Sequence, residues 1–414
     1  MSDYIVAAGS TARLGRVEGA LKAGRNSRIV AESGRRVVVT EGAYLEGPVS
    51  IECDFECKSM RVEGKGFGPS GNVEVRGSLL VHGDLEIDAS AEVGGEISAE
   101  RVDVGGHLKT KSITSKGVRV GGHLETRGSL KAEDVDVGGH MNVGELVDIS
   151  NLRVGGHVEV GGGTIKGDVK VRGRFRAAST LAYGSIQVYG SLVLPRGSRG
   201  DKLRALGKVE FEGDGFCKEV EINGTAKARG DLGAEKLQVN GKLEVQGSLK
   251  VSEKLEVFGS AEAKKTVECG GLGIWGRLAA ERIVASGRAE VGGETWVPHG
   301  LMAKDLAVGT GSRVNGPIVA DAVEVGVGLQ PVGLWAQISS WRTMGRMTRV
   351  DDVYARDVRV DRYSQVKRVY AETIRMQSGS AAAEVNFTKE ADISEGVHLE
   401  KPSRKTDSLP IPPS

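Results

Sequence analysis

Residues 104–158 carry one motif four times: VGGHL at 104–108, VGGHL at 120–124, VGGHM at 137–141 and VGGHV at 154–158. The copies start 16, 17 and 17 residues apart. A short fixed period indicates a solenoid, in which each repeat is one structural unit that stacks on the next. Seventeen residues are too few for a pair of helices and match one turn of a β-helix built from three short strands.

The same spacing continues far beyond the histidines when the motif is reduced to an apolar anchor with Gly two positions later. Successive anchors lie 16, 17 or 18 residues apart with a mean of 17, and the second residue after the anchor is Gly in 13 of 17 cases. The anchors are Val104, Val120, Val137, Val154, Val171, Val188, Ala205, Ile222, Val239, Val257, Ile274, Val291, Val308, Val325, Thr343, Val360 and Met376. Such regularity predicts one continuous coil.

A single turn, residues 123–137, shows how the coil is expected to close. Apolar or small residues two positions apart have strand spacing and can all point inward. These inward positions are Leu124, Thr126, Leu130, Ala132, Val135 and Val137. Between the pairs lie Arg127–Gly128, Glu133–Asp134 and Gly138–Gly139, which we interpret as corners where Gly adopts positive φ. We therefore predict an all-β, single-stranded parallel β-helix with a triangular cross-section and about twenty or more turns.

The pattern divides the chain into three parts. Residues 1–12 are expected to be a short N-terminal lead-in, and residues 13–400 a continuous β-helix whose turns at 335–376 are aromatic and basic variants. Residues 401–414 contain four prolines and little apolar sequence, so we expect a flexible tail.

The amino-acid composition of the chain limits which classes of function and which compartments are expected. The chain has 414 residues, 56 basic and 55 acidic side chains and a net charge of +1, which gives no general signal for nucleic-acid or membrane binding. No apolar run is long enough to span a membrane, and the N-terminus lacks the layout of a signal peptide. Four cysteines without metal-binding spacing agree with a reducing compartment. We expect a cytoplasmic protein.

Four histidines occupy equivalent positions one turn apart and should form an outward column: His107, His123, His140 and His157. One interpretation is a metal-binding or pH-sensing ladder. The alternative is a solvated surface column, since equivalent positions in other turns hold Arg174, Ser191 or Lys208. A linear stack does not make its ligands converge on one ion, so we expect no metal.

A cluster near the C-terminus combines aromatic and basic residues. Its candidate binding residues are Trp335, Trp341, Arg342, Arg346, Arg349, Arg359 and Arg362. These turns could bind a polysaccharide, a surface or a polyanion. Asp351, Asp352 and Asp361 are interleaved with the arginines, and such mixing is typical of a solvated face.

Catalytic motifs give no support for an enzyme. The sequence has no G-x-S-x-G elbow, no H-E-x-x-H and no phosphate-binding loop of the required spacing. A hexapeptide-repeat acyltransferase is a less favoured alternative, because its left-handed coil follows a stricter period of eighteen whereas the mean here is 17. We expect a non-enzymatic protein without a cofactor.

The repeats VRGSL (75–79), VNGKL (239–243), VFGSA (257–261) and IWGRL (274–278) resemble those of the bactofilins, a family of polymer-forming cytoskeletal proteins. The similarity of repeat style covers roughly residues 17–400. It implies a right-handed β-helix that stacks end to end into filaments and scaffolds other proteins. This chain has many more turns than the handful in a bactofilin core.

The ends of a β-helix support self-association on physical grounds. Terminal turns leave backbone groups unpaired and expose the apolar interior, so a cap or another subunit must cover them. The candidate interface residues are Tyr4, Ile5, Val6, Val385 and Phe387. The expected partners are other copies of this chain and, if it acts as a scaffold, client proteins.

Overall fold

Strands account for all the regular secondary structure that the computed structural model describes, in residues 3–64, 72–329 and 347–412. These residues contain 48 strands and no helix. The chain forms two compact units, Met1–Gly200 (unit 1) and Asp201–Ser414 (unit 2). Parallel strands stack as a β-solenoid, with about 22 turns of about 17 residues counted over the chain. The predicted fold class is confirmed.

Most strands of both units are short, as expected for the sides of a small triangular turn. Unit 1 contains β1 (Tyr4–Val6), β2 (Thr11–Leu14), β3 (Arg16–Val17), β4 (Leu21–Ala23), β5 (Ser27–Ala31), β6 (Arg36–Val39), β7 (Gly42–Glu46), β8 (Val49–Ile51), β9 (Asp54–Cys57), β10 (Ser59–Glu63), β11 (Val73–Val75), β12 (Leu79–Val81), β13 (Asp84–Ile87), β14 (Ala91–Val93), β15 (Glu96–Ser98), β16 (Arg101–Val104), β17 (His107–Thr110), β18 (Ser112–Thr114), β19 (Gly117–Val120), β20 (His123–Thr126), β21 (Leu130–Val137), β22 (His140–Val154), β23 (His157–Val171), β24 (Arg174–Ala177), β25 (Leu181–Val188) and β26 (Ser191–Leu194). The boundary between the units falls within β27 (Arg199–Ala205). Unit 2 continues with β28 (Lys208–Phe211), β29 (Gly215–Ile222), β30 (Thr225–Ala228), β31 (Leu232–Val239), β32 (Lys242–Val245), β33 (Leu249–Val257), β34 (Ser260–Ala263), β35 (Thr266–Ile274), β36 (Arg277–Ala279), β37 (Arg282–Ala285), β38 (Arg288–Val291), β39 (Glu294–Trp296), β40 (Leu301–Met302), β41 (Asp305–Gly309), β42 (Arg313–Asn315), β43 (Ile318–Val327), β44 (Thr348–Val360), β45 (Ser364–Met376), β46 (Ala381–Ile393), β47 (His398–Leu399) and β48 (Arg404–Lys405).

The predicted closure of one turn is confirmed in unit 1. All six inward positions of residues 123–137 are buried, the most exposed being Ala132 at 7%. The corner at Glu133–Asp134 lies inside β21, where two consecutive exposed residues interrupt the alternation of buried and exposed positions. Register between turns follows the anchors, since Val104 pairs with Val120 and Val120 with Val137. Each side of the triangle therefore buries alternate side chains against the turn before and after it.

The corner glycines are required for a reason other than the one predicted. Gly122, Gly139 and Gly156 do not adopt positive φ. A Cβ on Gly139 would instead lie 2.0 Å from the carbonyl oxygen of Gly122 in the preceding turn, and one on Gly156 would lie 2.0 Å from that of Gly139. Successive turns therefore approach one another too closely at this corner for any side chain.

In unit 2 the anchor ladder runs from Ile222 to Val325 and then skips a predicted anchor. Val325 pairs directly with Val360, and Val360 pairs with Met376. Thr343 lies outside the described residues, and no anchor comes between Val325 and Val360, so its predicted place in the ladder is wrong. The spacing suggested an extra turn because the interval happens to be close to two periods long.

Strands also occur in the segments predicted as lead-in and tail. In unit 1, β1 begins at Tyr4 and pairs with β4 of the following turn, so the solenoid starts before residue 13. In unit 2, β48 lies beyond residue 400 and pairs with β46. The N-terminal turns are less regular than the later ones, because Leu21 pairs with Ala43 and Met60 with Leu85 across longer connections.

Candidate functional site

The predicted column of histidines exists in unit 1. His107, His123, His140 and His157 are in-register neighbours on successive turns. Their ring centroids are 5.8, 6.0 and 6.0 Å apart, and adjacent ring planes deviate from parallel by 20° to 27°. The column, which we call the histidine ladder, is exposed or half-buried and lies directly beside the corner glycines.

The geometry of the histidine ladder determines what it can bind. Imidazole lone pairs lie in the ring plane, so stacked rings direct their nitrogens side by side rather than toward one point. A tetrahedral metal site needs ligands that converge. No group of three or more His, Cys, Asp or Glu residues is arranged to hold a metal ion in the part of the chain that the structure describes. Within the histidine ladder, His157 Nε2 lies 3.3 Å from Glu159 Oε1 of the same strand.

The N-terminal interface candidates have three different environments. Tyr4 pairs with the buried Leu21 and so lies at the end of a core column, where its side chain is 43% exposed. Ile5 points outward and is 71% exposed. Val6 is 3% exposed and points inward into the core, and its role at an interface stays a prediction.

The C-terminal candidates are covered by the chain itself. Val385 pairs with Val369 and has no exposed surface, so it is a core residue, and its role at an interface stays a prediction. Phe387 is half-buried and pairs with Ala371 on one side and Lys405 on the other. The backbone N–H of Thr406 donates to the Phe387 carbonyl at 2.8 Å. Residues 404–406, within the segment predicted as a flexible tail, therefore pair with β46.

The basic and aromatic cluster is only partly described. Trp335, Trp341, Arg342 and Arg346 lie outside the described residues. Arg349 belongs to a ladder with Arg313 and Gln365. Arg359 belongs to another ladder, with Glu324 and Arg375, and its Nε donates to Asp361 Oδ1 at 2.9 Å, which raises the pKa of its guanidinium. Arg362 is exposed at the connection between β44 and β45. The structure thus places these arginines on separate ladders.

Sequence reasoning missed a paired arrangement in the same turns. Tyr354 and Tyr370 stack with centroids 5.0 Å apart and ring planes 20° from parallel. Beside them the Arg368 guanidinium donates to both carboxylate oxygens of Asp352, with Nε 2.7 Å from Oδ1, and this pairing raises the pKa of Arg368. Both pairs are 16 residues apart, so the repeat spacing could have identified them once each sequence position was assigned to a column.

All four cysteines are buried and form no disulfide: Cys53, Cys57, Cys217 and Cys269. Burial raises the pKa of Cys57 and of Cys269 from 9.0 to about 12, and it also raises the pKa of Cys53. Because the thiolate is the reactive form, these thiols are protected from reagents both by their burial and by their raised pKa.

We expect no cysteine to react with a chromogenic disulfide reagent in the folded protein at pH 9.0, the ordinary thiol pKa. Thiolate at a pKa near 12 is on the order of 10³-fold scarcer than in an exposed thiol. In urea all four should react, and rapid labelling of any native cysteine would contradict the burial seen here. The unfolded thiols ionise first, so folding stability should fall as the pH rises from 9.0 toward 12.

No helix capable of crossing a membrane occurs within residues 3–64, 72–329 and 347–412. In these residues successive turns align outward side chains into ladders, and the histidine ladder repeats a single residue type. Comparisons with family models, with curated proteins and with solved structures find no match to this chain.

Proposed function

We propose that this chain is a non-enzymatic structural protein whose β-solenoid ends associate with other copies of the chain, and that the resulting assembly scaffolds partner proteins. The observation that carries the proposal is that the strands of the first turn are paired on one side only. In the described residues β1, β2 and β3 pair only with β4, β5 and β6 of the next turn, which leaves their outer edges without strand partners. Unpaired strand edges favour association with another chain.

The side chains at this end support the proposal. Tyr4 occupies a core column and nothing stacks above it in the described residues, although it retains 43% exposure. Ile5 adds an exposed apolar side chain on the adjacent position. An incoming strand would complete the hydrogen bonds of β1 and cover Tyr4 at the same time. The repeat style shared with the bactofilins points toward the same kind of assembly.

Negative-stain electron microscopy of the full chain over a range of concentrations tests this function. We expect particles to lengthen with concentration, and we expect Tyr4→Asp to abolish lengthening because it introduces a charge at the stacking surface. Tyr44→Asp is the matched control, since Tyr44 is 50% exposed and lies on an outward ladder that also contains Ile5 and Lys22.

The control variant should assemble like the unmodified chain. Particles of constant length at every concentration would contradict end-to-end association. So would a Tyr4→Asp variant that folds and still lengthens. Circular dichroism of both variants establishes that the solenoid is intact.

A further inference from the structure

One outward ladder of unit 1 carries charged residues on six successive turns, between Arg61 on one side and Gln187 on the other. Backbone pairing places them one per turn in the order Glu86, Asp103, Arg119, Asp136, Arg153 and Lys170. Five of the six are exposed and Asp103 is half-buried. With about 4.8 Å between turns, this charge ladder is about 24 Å long.

The order of signs in the charge ladder is antisymmetric. It runs negative, negative, positive, negative, positive, positive, so reversing the direction and every sign gives the same series. A second copy placed antiparallel by a two-fold axis would therefore set each charge opposite its complement. The pairs would be Glu86 with Lys170, Asp103 with Arg153 and Arg119 with Asp136, each formed twice.

Within one chain the charge ladder is incompletely neutralised. Asp136, Arg153 and Lys170 form no ion pair with any described residue, and the Arg119–Asp103 pair spans 4.0 Å. Glu86 does have a partner, Arg61, at 3.3 Å. Like charges are direct neighbours at both ends, Glu86 beside Asp103 and Arg153 beside Lys170, which is unfavourable between adjacent strands. An antiparallel partner would relieve both clusters.

The surface around the ladder leaves room for such a partner. Glu86, Asp103, Arg119, Asp136 and Arg153 all line one concavity of about 830 Å³. The neighbouring outward ladder lines it as well, with the side chains of Arg101 and Asp134 on either side of Gly117. On the other side of the charge ladder the exposed corner glycines Gly121, Gly138 and Gly155 form a strip without side chains. On that side little projects between the ladder and an approaching copy.

We infer that this face is a lateral interface at which two copies of the chain pair side by side and antiparallel through their charge ladders. The contact is distinct from the proposed end-to-end association, because it uses the side of unit 1. It is weak and salt-sensitive, since its pairs lie at the surface. In an assembled state it would join neighbouring filaments rather than extend them.

Sedimentation velocity of the full chain tests the interface by a charge exchange. In the antiparallel pair of copies, Asp136→Arg sets an arginine opposite Arg119 at both symmetry-related places. We therefore expect lateral association in about 0.05 M NaCl to weaken by about tenfold or more. Arg119→Asp alone should have a similar effect. The double variant Arg119→Asp, Asp136→Arg restores antisymmetry and should associate like the unmodified chain.

Glu145→Arg is the matched control, because Glu145 is exposed at another corner and forms no ion pair in the described residues. It should leave association unchanged. The inference is overturned if the unmodified chain shows no association that about 0.5 M NaCl removes. It is also overturned if Asp136→Arg associates normally, or if the folded double variant fails to recover. End-to-end association should be the same in all these variants. Comparing them therefore tests the lateral interface whether or not end-to-end association occurs.

Discussion

Gly139→Ala is expected to destabilise unit 1 by about 3 kcal/mol or more, because the added methyl overlaps the backbone of the preceding turn. The new Cβ would lie 2.0 Å from the Gly122 carbonyl oxygen. That oxygen accepts a hydrogen bond of 2.9 Å from the His140 N–H, so moving it away also weakens the contact between turns. Urea unfolding followed by far-ultraviolet circular dichroism measures the change.

Gly138→Ala provides the control at the neighbouring position. A Cβ there would lie 3.6 Å from the Val120 carbonyl oxygen, which is ordinary van der Waals contact, and the site is exposed. Its stability should change by less than about 0.5 kcal/mol. Equal effects from the two substitutions would show that loss of glycine flexibility, rather than close approach, governs the corner.

The second large effect is expected from Phe175→Ala in the core of unit 1. Phe175 has no exposed surface and stacks between Val158 and Leu192 on adjacent turns. Its truncation removes buried apolar contacts and leaves a cavity, which should cost about 3–5 kcal/mol. Because turns depend on their neighbours, the loss should spread along the stack.

Cysteine labelling during urea unfolding locates this loss. Cys53 and Cys57 report on unit 1, whereas Cys217 and Cys269 report on unit 2. Phe175→Ala should lower the urea concentration at which the first pair reacts. Tyr189→Ala is the control, since Tyr189 is 51% exposed and its loss should cost less than about 1 kcal/mol. Similar effects from both truncations would contradict the assignment of Phe175 to the core.

The fold was predictable because each turn repeats the same physical requirement. The spacing of the VGGH copies identified the period, and the inward residues of 123–137 followed from strand alternation and are buried as expected. The same reasoning failed between Val325 and Val360, where an interval close to two periods long predicted an additional anchor. The two valines pair directly, and no pattern in the intervening sequence indicates this.

Features that depend on three-dimensional neighbours were harder to predict. The burial of Val6 and Val385 depends on packing against side chains distant in the sequence, which the residues beside each valine do not indicate. The stack of Tyr354 on Tyr370 and the charge ladder appear only when positions are aligned by column. The histidine ladder was visible at once because its members share a conspicuous motif.

The direct pairing of Val325 with Val360 has a consequence for how this protein can change. Strand β43 ends at Val327 and β44 begins at Thr348, and hydrogen bonding resumes in register between them. Paired positions on successive turns therefore need not be separated by one fixed number of residues, since these two valines lie 35 positions apart in the sequence. A stacked framework of this kind can take up a longer stretch of chain between two turns while the turns that follow keep their alignment, so a change in length at one place need not disturb the rest.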